Sequence, residues 1–150
     1  MMNSSKIFPP TYLLIAIIVM LVLHFTWPLT TILFPPWQLL GIIPLGVGVM
    51  INVIAANTFQ TRNTTIKPFE ESTALVTGGL YQVSRNPMYL GIVLILAGVA
   101  ILLGSLTPFA VIPVVIVLLD RNFIRFEEQK LAQTFGPRWV EYRRRVRRWV

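Results

Sequence analysis

The 150-residue chain is 55% hydrophobic and 13% charged, with a mean hydropathy of +0.68, which excludes an ordinary soluble domain. Its net charge of +7 does not point to nucleic acid, because six of the 13 basic residues cluster between Arg138 and Arg148, just after the last apolar stretch. With no cysteine and a single histidine, His24, a disulfide framework, a thiolate nucleophile and a Cys- or His-rich metal site are all excluded.

Residues 1–9 form a short lead with one charge, Lys6. The apolar run that follows is too long for a signal peptide and lacks a small-x-small cleavage site, so it reads as a retained first span over about 10–34. Pro35-Pro36 breaks it in an uncharged turn flanked by Trp27 and Trp37, aromatics suited to a membrane interface. A second span covers about 37–59, with Gly41, Gly46 and Gly48 as points of close helix approach and Pro44 as a source of a kink. Asn52 and Asn57 lie in or near this apolar zone and read first as interhelical hydrogen-bonding groups.

Gln60 to Arg85 is a polar segment, long enough to be functional rather than a plain connection. Asn86 to Leu119 is uncharged, with a break at Gly104-Ser105-Leu106-Thr107-Pro108. This gives spans over about 87–103 and 108–126, the second with only ~12 apolar residues, about 18 Å against a ~30 Å hydrocarbon core. Asp120, Arg121 and Arg125 then lie at a depth where charges need partners or a wet cavity. The turns near 35 and 105 hold no Lys or Arg, which places both termini in the cytoplasm. After Gly136-Pro137, residues Trp139, Tyr142, Val146 and Trp149 recur at helical spacing between arginines, the pattern of a basic interfacial helix against anionic headgroups. The expected fold class is therefore an all-α, multi-pass integral membrane protein: one domain over 1–150, about four transmembrane helices and a C-terminal interfacial helix.

No G-x-G-x-x-G occurs, so a Rossmann nucleotide site is unsupported, and Gly78-Gly79 alone reads as a turn. His24 lies mid-span, where a packed or hydrogen-bonded role outweighs a catalytic one. The remaining chemistry rests on Tyr81, Arg85, Tyr89, Arg121, Arg125, Glu127 and Glu128. Arg121, Arg125 and Glu128 stand at i, i+4 and i+7, one helical face; a solvated face of salt bridges is the equally weighted alternative. A carboxylate can hold ribose hydroxyls or an amino group, and an arginine can orient a carboxylate or phosphate.

The stretch LVTGGLYQVSRNPMYLG from Leu75 to Gly91, followed by E-E-x-x-L-x-x-x-F-G-x-x-W-x-x-Y from Glu127, resembles the isoprenylcysteine carboxyl methyltransferases, whose superfamily includes phospholipid N-methyltransferases. The resemblance covers about residues 60–150. It implies S-adenosyl-L-methionine as cofactor, held on the cytosolic side by Thr73, Ala74, Leu75, Val76, Tyr81, Asn86, Pro87, Met88, Tyr89 and Glu127. It also implies Arg125 or Arg121, with Glu128, as the residues that act on the acceptor. The family commonly has His where this chain has Asn86, which can hydrogen-bond but cannot titrate near neutrality. The implied acceptor is lipophilic, prenylated or membrane-embedded. A carboxylate fits best because it needs no general base, whereas an amine would need Glu127 or Glu128 as a base. The expectation includes no metal and no nucleic acid, and it leaves the oligomeric state open. Two rival classes are a sterol-type NADPH-dependent membrane reductase, whose C-terminal region looks similar, and a non-enzymatic lipid-binding or scaffold protein.

Overall fold

The structure, a computed structural model, describes residues 8–61 and 74–150. Thr73 and the charged part of the polar segment around Arg62, Lys67, Glu70 and Glu71 lie outside the described residues. The described residues form helices α1 (Pro9–Thr26), α2 (Ile42–Thr61), α3 (Pro87–Leu103), α4 (Val111–Leu119), α5 (Arg125–Phe135) and α6 (Pro137–Arg145), joined in part by 3₁₀ turns. Among them the sole β feature is an isolated bridge between Thr31 and Ser105.

The run Pro9–Thr26 and the run Trp37–Thr58 are long and apolar enough to cross a membrane. Only 11% and 17% of these runs is buried, so their apolar surface faces outward rather than into a soluble core. Among the described residues the architecture is all-helical, that of a membrane protein. The first span is shorter than the expected 10–34. Pro28 has no N–H to donate and forces Trp27 out of the helical region (φ −149°, ψ 70°), so α1 closes at Thr26. The next residues fold back over the end of α3: Ile32 and Leu33 N–H groups donate to the Gly104 carbonyl (2.8 and 3.1 Å), and Leu106 N–H donates to Thr30 O (3.0 Å). His24 Nδ1 lies 2.7 Å from Ser105 Oγ, so the lone histidine serves to tie this end together. Pro35-Pro36 is a cis bond within the turn, which Trp37 N–H closes on Phe34 O at 2.9 Å.

α2 and α4 each begin from a 3₁₀ turn, Trp37–Gly41 and Thr107–Ala110. Both prolines follow closely. The carbonyls that Pro44 and Pro113 would strike, four residues back at Leu40 and Phe109, fall inside the tighter 3₁₀ winding. Pro44, the expected source of a kink, thus stands in the first turn of α2.

α2 and α3 pack antiparallel through paired glycines. A Cβ on Gly48 would come within 2.6 Å of the Gly91 carbonyl oxygen, and one on Gly98 within 2.6 Å of Gly41's. Small residues two turns apart on both helices let the backbones touch, which stabilises association where lipid removes the usual hydrophobic gain. Gly46 faces open space and takes no part. Asn52 Nδ2 donates to Gly48 O of its own helix (3.0 Å) while its amide fills the space beside Gly91, so it bonds within α2 rather than across helices. Asn57 is exposed.

The helical path continues without a break from Thr107 to Phe135, because a π turn at Asp120–Ile124 joins α4 to α5. Helices α1 to α4 carry no charged residue, and Arg85, Asp120, Arg125, Glu128 and Arg148 gather in ion pairs at one end. There the N-terminal end of α1 (Tyr12), the last turns of α2 (Ala55), the start of α3 and the π turn converge. α6 differs from expectation. Trp139, Tyr142 and Val146 are buried against Leu75, Leu131 and Phe135. Its apolar face therefore covers the protein's own polar end instead of lying on lipid. The helix stops at Arg145, and Val146 is extended (φ −119°, ψ 132°), so Trp149 leaves the helical face and packs on the core made by α1, α3 and α4.

Candidate active site

Asn86 precedes the first turn of α3 with an extended φ of −131°, and Pro87 occupies the first helical position, where its absent N–H costs nothing. That start sets Tyr89 facing inward, 5% exposed. Its hydroxyl donates to Glu127 Oε1 at 2.6 Å, across 38 residues of sequence. Phe123, at 2% exposure, stacks on Tyr89 (6.2 Å between ring centres) and meets Tyr12 edge-on at 5.3 Å, closing the apolar side. Tyr81, Val76, Ala55 and Met88 form an adjoining cluster, and Tyr142 Oη donates to the Tyr81 carbonyl at 2.7 Å.

The carboxylates divide sharply. Glu128 is gripped by Arg85 Nη1 (3.0 Å) and in a two-point fork by Arg148, Nη2 to Oε2 at 2.6 Å and Nε to Oε1 at 3.1 Å. Asp120 takes Arg148 Nη1 at 2.9 Å and Arg125 Nε at 2.8 Å. Glu141 pairs with Arg145 on the surface. Glu127 alone among the described acidic residues has no basic partner. Burial lifts its carboxyl from the ordinary 4.5 to about 7; the Glu128 charge adds to the rise and the Tyr89 hydrogen bond opposes it.

The neighbouring groups respond to the same enclosure. Burial raises the Tyr81 hydroxyl, with the Glu127 charge adding to it, and pushes Tyr142 up to about 12. Burial lowers Arg85 in spite of Glu128; its Nε and Nη1 are enclosed without a hydrogen-bond acceptor among the described residues, so Nη1 meets Glu128 as an ion pair only, and its guanidinium lies 5.6 Å from the Trp139 ring centre. Arg148 is raised, first by its hydrogen bonds to Glu128.

The family model described as phospholipid methyltransferase matches residues 37–138, from the turn before α2 to the first residues of α6. The chain belongs to this family. Protein-S-isoprenylcysteine O-methyltransferase B of Arabidopsis thaliana is 36% identical over 77 residues, 51% of this chain and 39% of that protein. Protein-S-isoprenylcysteine O-methyltransferase A of the same plant is 31% identical over 105 residues, 68% of this chain and 53% of that protein. The chain thus spans about half the length, or less, of these curated relatives. No solved structure matches it significantly.

In this phospholipid methyltransferase family member, Tyr81, Tyr89 and Glu127 come together at one end, with Val76 and Met88 beside them. Ala74 is half-buried, and Leu75 turns towards Trp139 and Tyr142. Pro87 is buried as the helix start. Asn86 commits its amide to a different partner, donating to the Arg148 carbonyl at 3.1 Å. Arg121, Arg125 and Glu128 do not share one face. A π turn consumes an extra residue, so its backbone bond runs from Arg125 N–H to Asp120 O, five residues back. Asp120 takes the place on that face that an unbroken α-helix would give Arg121, which is exposed. Sequence reasoning missed Ser84, Phe123 and Arg148. Arg148 reaches Glu128 and Asp120 across 20 and 28 residues of sequence, so no local pattern marks it.

Proposed function

We propose that this chain is an S-adenosylmethionine-dependent methyltransferase that works at the membrane surface on a lipophilic acceptor, with a carboxylate as the favoured nucleophile. The observation that carries the reading is Glu127, an enclosed carboxylate held by Tyr89 at 2.6 Å and without a basic partner among the described residues, while Glu128 and Asp120 are doubly paired. Such a group suits a ligand that brings its own positive charge and hydroxyls, as S-adenosylmethionine does. The family and the O-methyltransferase names of both plant relatives agree with it. In the same reading α3 and α4 complete four spans and the charged end faces the cytosol, in keeping with the charge-free loops at the opposite end.

When bound, the cofactor supplies a methyl group already activated on a sulfonium, so the protein's task is orientation and exclusion of water. Glu127 would accept from ribose hydroxyls or face the cationic end of the donor. Tyr81, Tyr89, Val76 and Met88 would wall it, and Ala74, Leu75 and Thr73 would follow along the loop. Trp139 and Tyr142 on α6 close that side to water. Arg125, 61% exposed and turned to Asp120, stands where it can exchange that partner for an acceptor carboxylate. A second reading has a specific observation behind it: a carboxyl held at about 7 is matched to accept a proton from an amine, which favours a phospholipid or small-amine acceptor.

Purified protein, membrane lipid extract and methyl-labelled S-adenosylmethionine would separate the two. Label in a lipid product that mild base releases as methanol is expected for a methyl ester. Label that survives base is expected for N-methylation. No transfer to any fraction, with no heat of cofactor binding in detergent, would refute the enzyme reading.

A further inference from the structure

We infer that Arg148 is a positioning residue that holds the two halves of the candidate active site in register. One half is the start of α3 with Tyr89; the other is the π turn and the first turn of α5 with Glu127. Residues 146–150 cross between them. The Arg148 carbonyl accepts from Asn86 Nδ2 (3.1 Å) and from Ser84 Oγ (3.3 Å), and the Arg147 carbonyl accepts from Arg85 N–H (2.9 Å). Ser84 Oγ in turn receives the Asn86 N–H at 3.1 Å, so the helix start itself is laced to this strap. The side chain of the same residue reaches the other way. Its planar fork takes both oxygens of Glu128, and its third nitrogen takes Asp120 across the π turn.

Glu128 is the chain neighbour of Glu127, so fixing its rotation about the helix axis fixes where Glu127 points. Main chain and side chain of one residue therefore determine the Tyr89–Glu127 alignment from both sides. Arg148 lies beyond residue 138, outside the region that the family model matches, and the basic cluster around it invites a reading as lipid contact. Two acids and two polar groups from α3's approach occupy it instead.

The consequence for cofactor affinity rests on the methyltransferase reading; the alignment itself does not. Hydrogen exchange in detergent, without cofactor, tests the alignment. Arg148→Ala is expected to speed amide exchange at least tenfold in both 84–90 and 120–128, leaving 92–100 at the parent rate. Arg148→Lys, whose single ammonium cannot grip Glu128 and Asp120 together, should fall between. S-adenosylmethionine titration should give at least tenfold weaker binding for Arg148→Ala. Parent-like exchange in either segment, acceleration spread evenly into 92–100, or affinity within twofold of the parent would each overturn the inference. A parent protein that binds no S-adenosylmethionine removes the methyltransferase reading, and the exchange rates still decide the role of Arg148.

Discussion

Replacing Glu127 by glutamine removes a charge and almost nothing else, since the amide oxygen can still accept from Tyr89. With its carboxyl held at about 7, Glu127 is roughly nine-tenths ionised at pH 8 and roughly one-tenth at pH 6. A cationic ligand beside it favours the ionised form, so binding expels a proton and affinity falls as pH falls. The expected loss between pH 8 and pH 6 is about tenfold. Glu127→Gln has no such proton to release. At pH 8 it should bind S-adenosylmethionine about 1.5–3 kcal/mol more weakly, the scale of a charged hydrogen bond. Isothermal titration at several pH values gives the ratio of parent to variant affinity, in which the donor's own titration cancels. That ratio should shrink towards acid. A flat ratio, or a variant that binds as tightly as the parent at pH 8, would refute the assignment. Stability supplies a second check of opposite sign. Because folding raises this carboxyl, its favourable contribution is complete below pH ~4.5 and is lost as pH climbs through about 7, a cost on the order of 3 kcal/mol. The variant should therefore melt higher than the parent at pH 8, with the gap closing by pH 5.

Gly98→Ala would drive a Cβ to 2.6 Å from the Gly41 carbonyl oxygen, backbone that cannot give way cheaply. The expected cost is about 1–3 kcal/mol, read as a lower thermal midpoint in detergent, whereas Gly46→Ala, facing open space, should leave the midpoint in place. Arg125→Ala loses only a mostly exposed pair with Asp120, so the midpoint should shift little. Turnover of a carboxylate acceptor should fall while S-adenosylmethionine affinity stays at the parent value; normal turnover would place acceptor binding elsewhere.

Hydropathy made the helices legible, and Pro87 marked the start of α3 to the residue. Four features were harder for identifiable reasons. The span reading ran through Pro28 because averaged hydropathy is blind to one missing donor; the backbone is not. Gly41 and Gly48 were visible as small residues, but their partners Gly91 and Gly98 emerge only when two helices are set antiparallel. The amphipathic face of α6 is genuine, yet periodicity cannot say whether lipid or protein covers it; burial of Trp139 and Tyr142 shows protein. The pairing of Arg148 with Glu128 and Asp120 is long-range, and no local pattern encodes it.

The π turn is the remaining place where a 3.6-residue repeat misleads, and it makes the sharpest structural test. Asp120 and Arg125 are five apart, yet their side chains bond at 2.8 Å and the Arg125 N–H reaches the Asp120 carbonyl. A helix that already carries one extra residue can lose it and still keep the flanking faces aligned, because five-residue spacing then becomes four. Deleting Asn122, exposed and with its side-chain amide on Tyr12 Oη (3.1 Å), should therefore preserve the Tyr89–Glu127 contact. Inserting one alanine after Asn122 has no such slack and should turn Glu127 by roughly 100° about the α5 axis. Cofactor affinity should stay within about tenfold for the deletion and fall by roughly a hundredfold or more for the insertion, a difference on the order of 1.4 kcal/mol or greater. Equal losses from both changes would mean that the turn does not set the direction of Glu127.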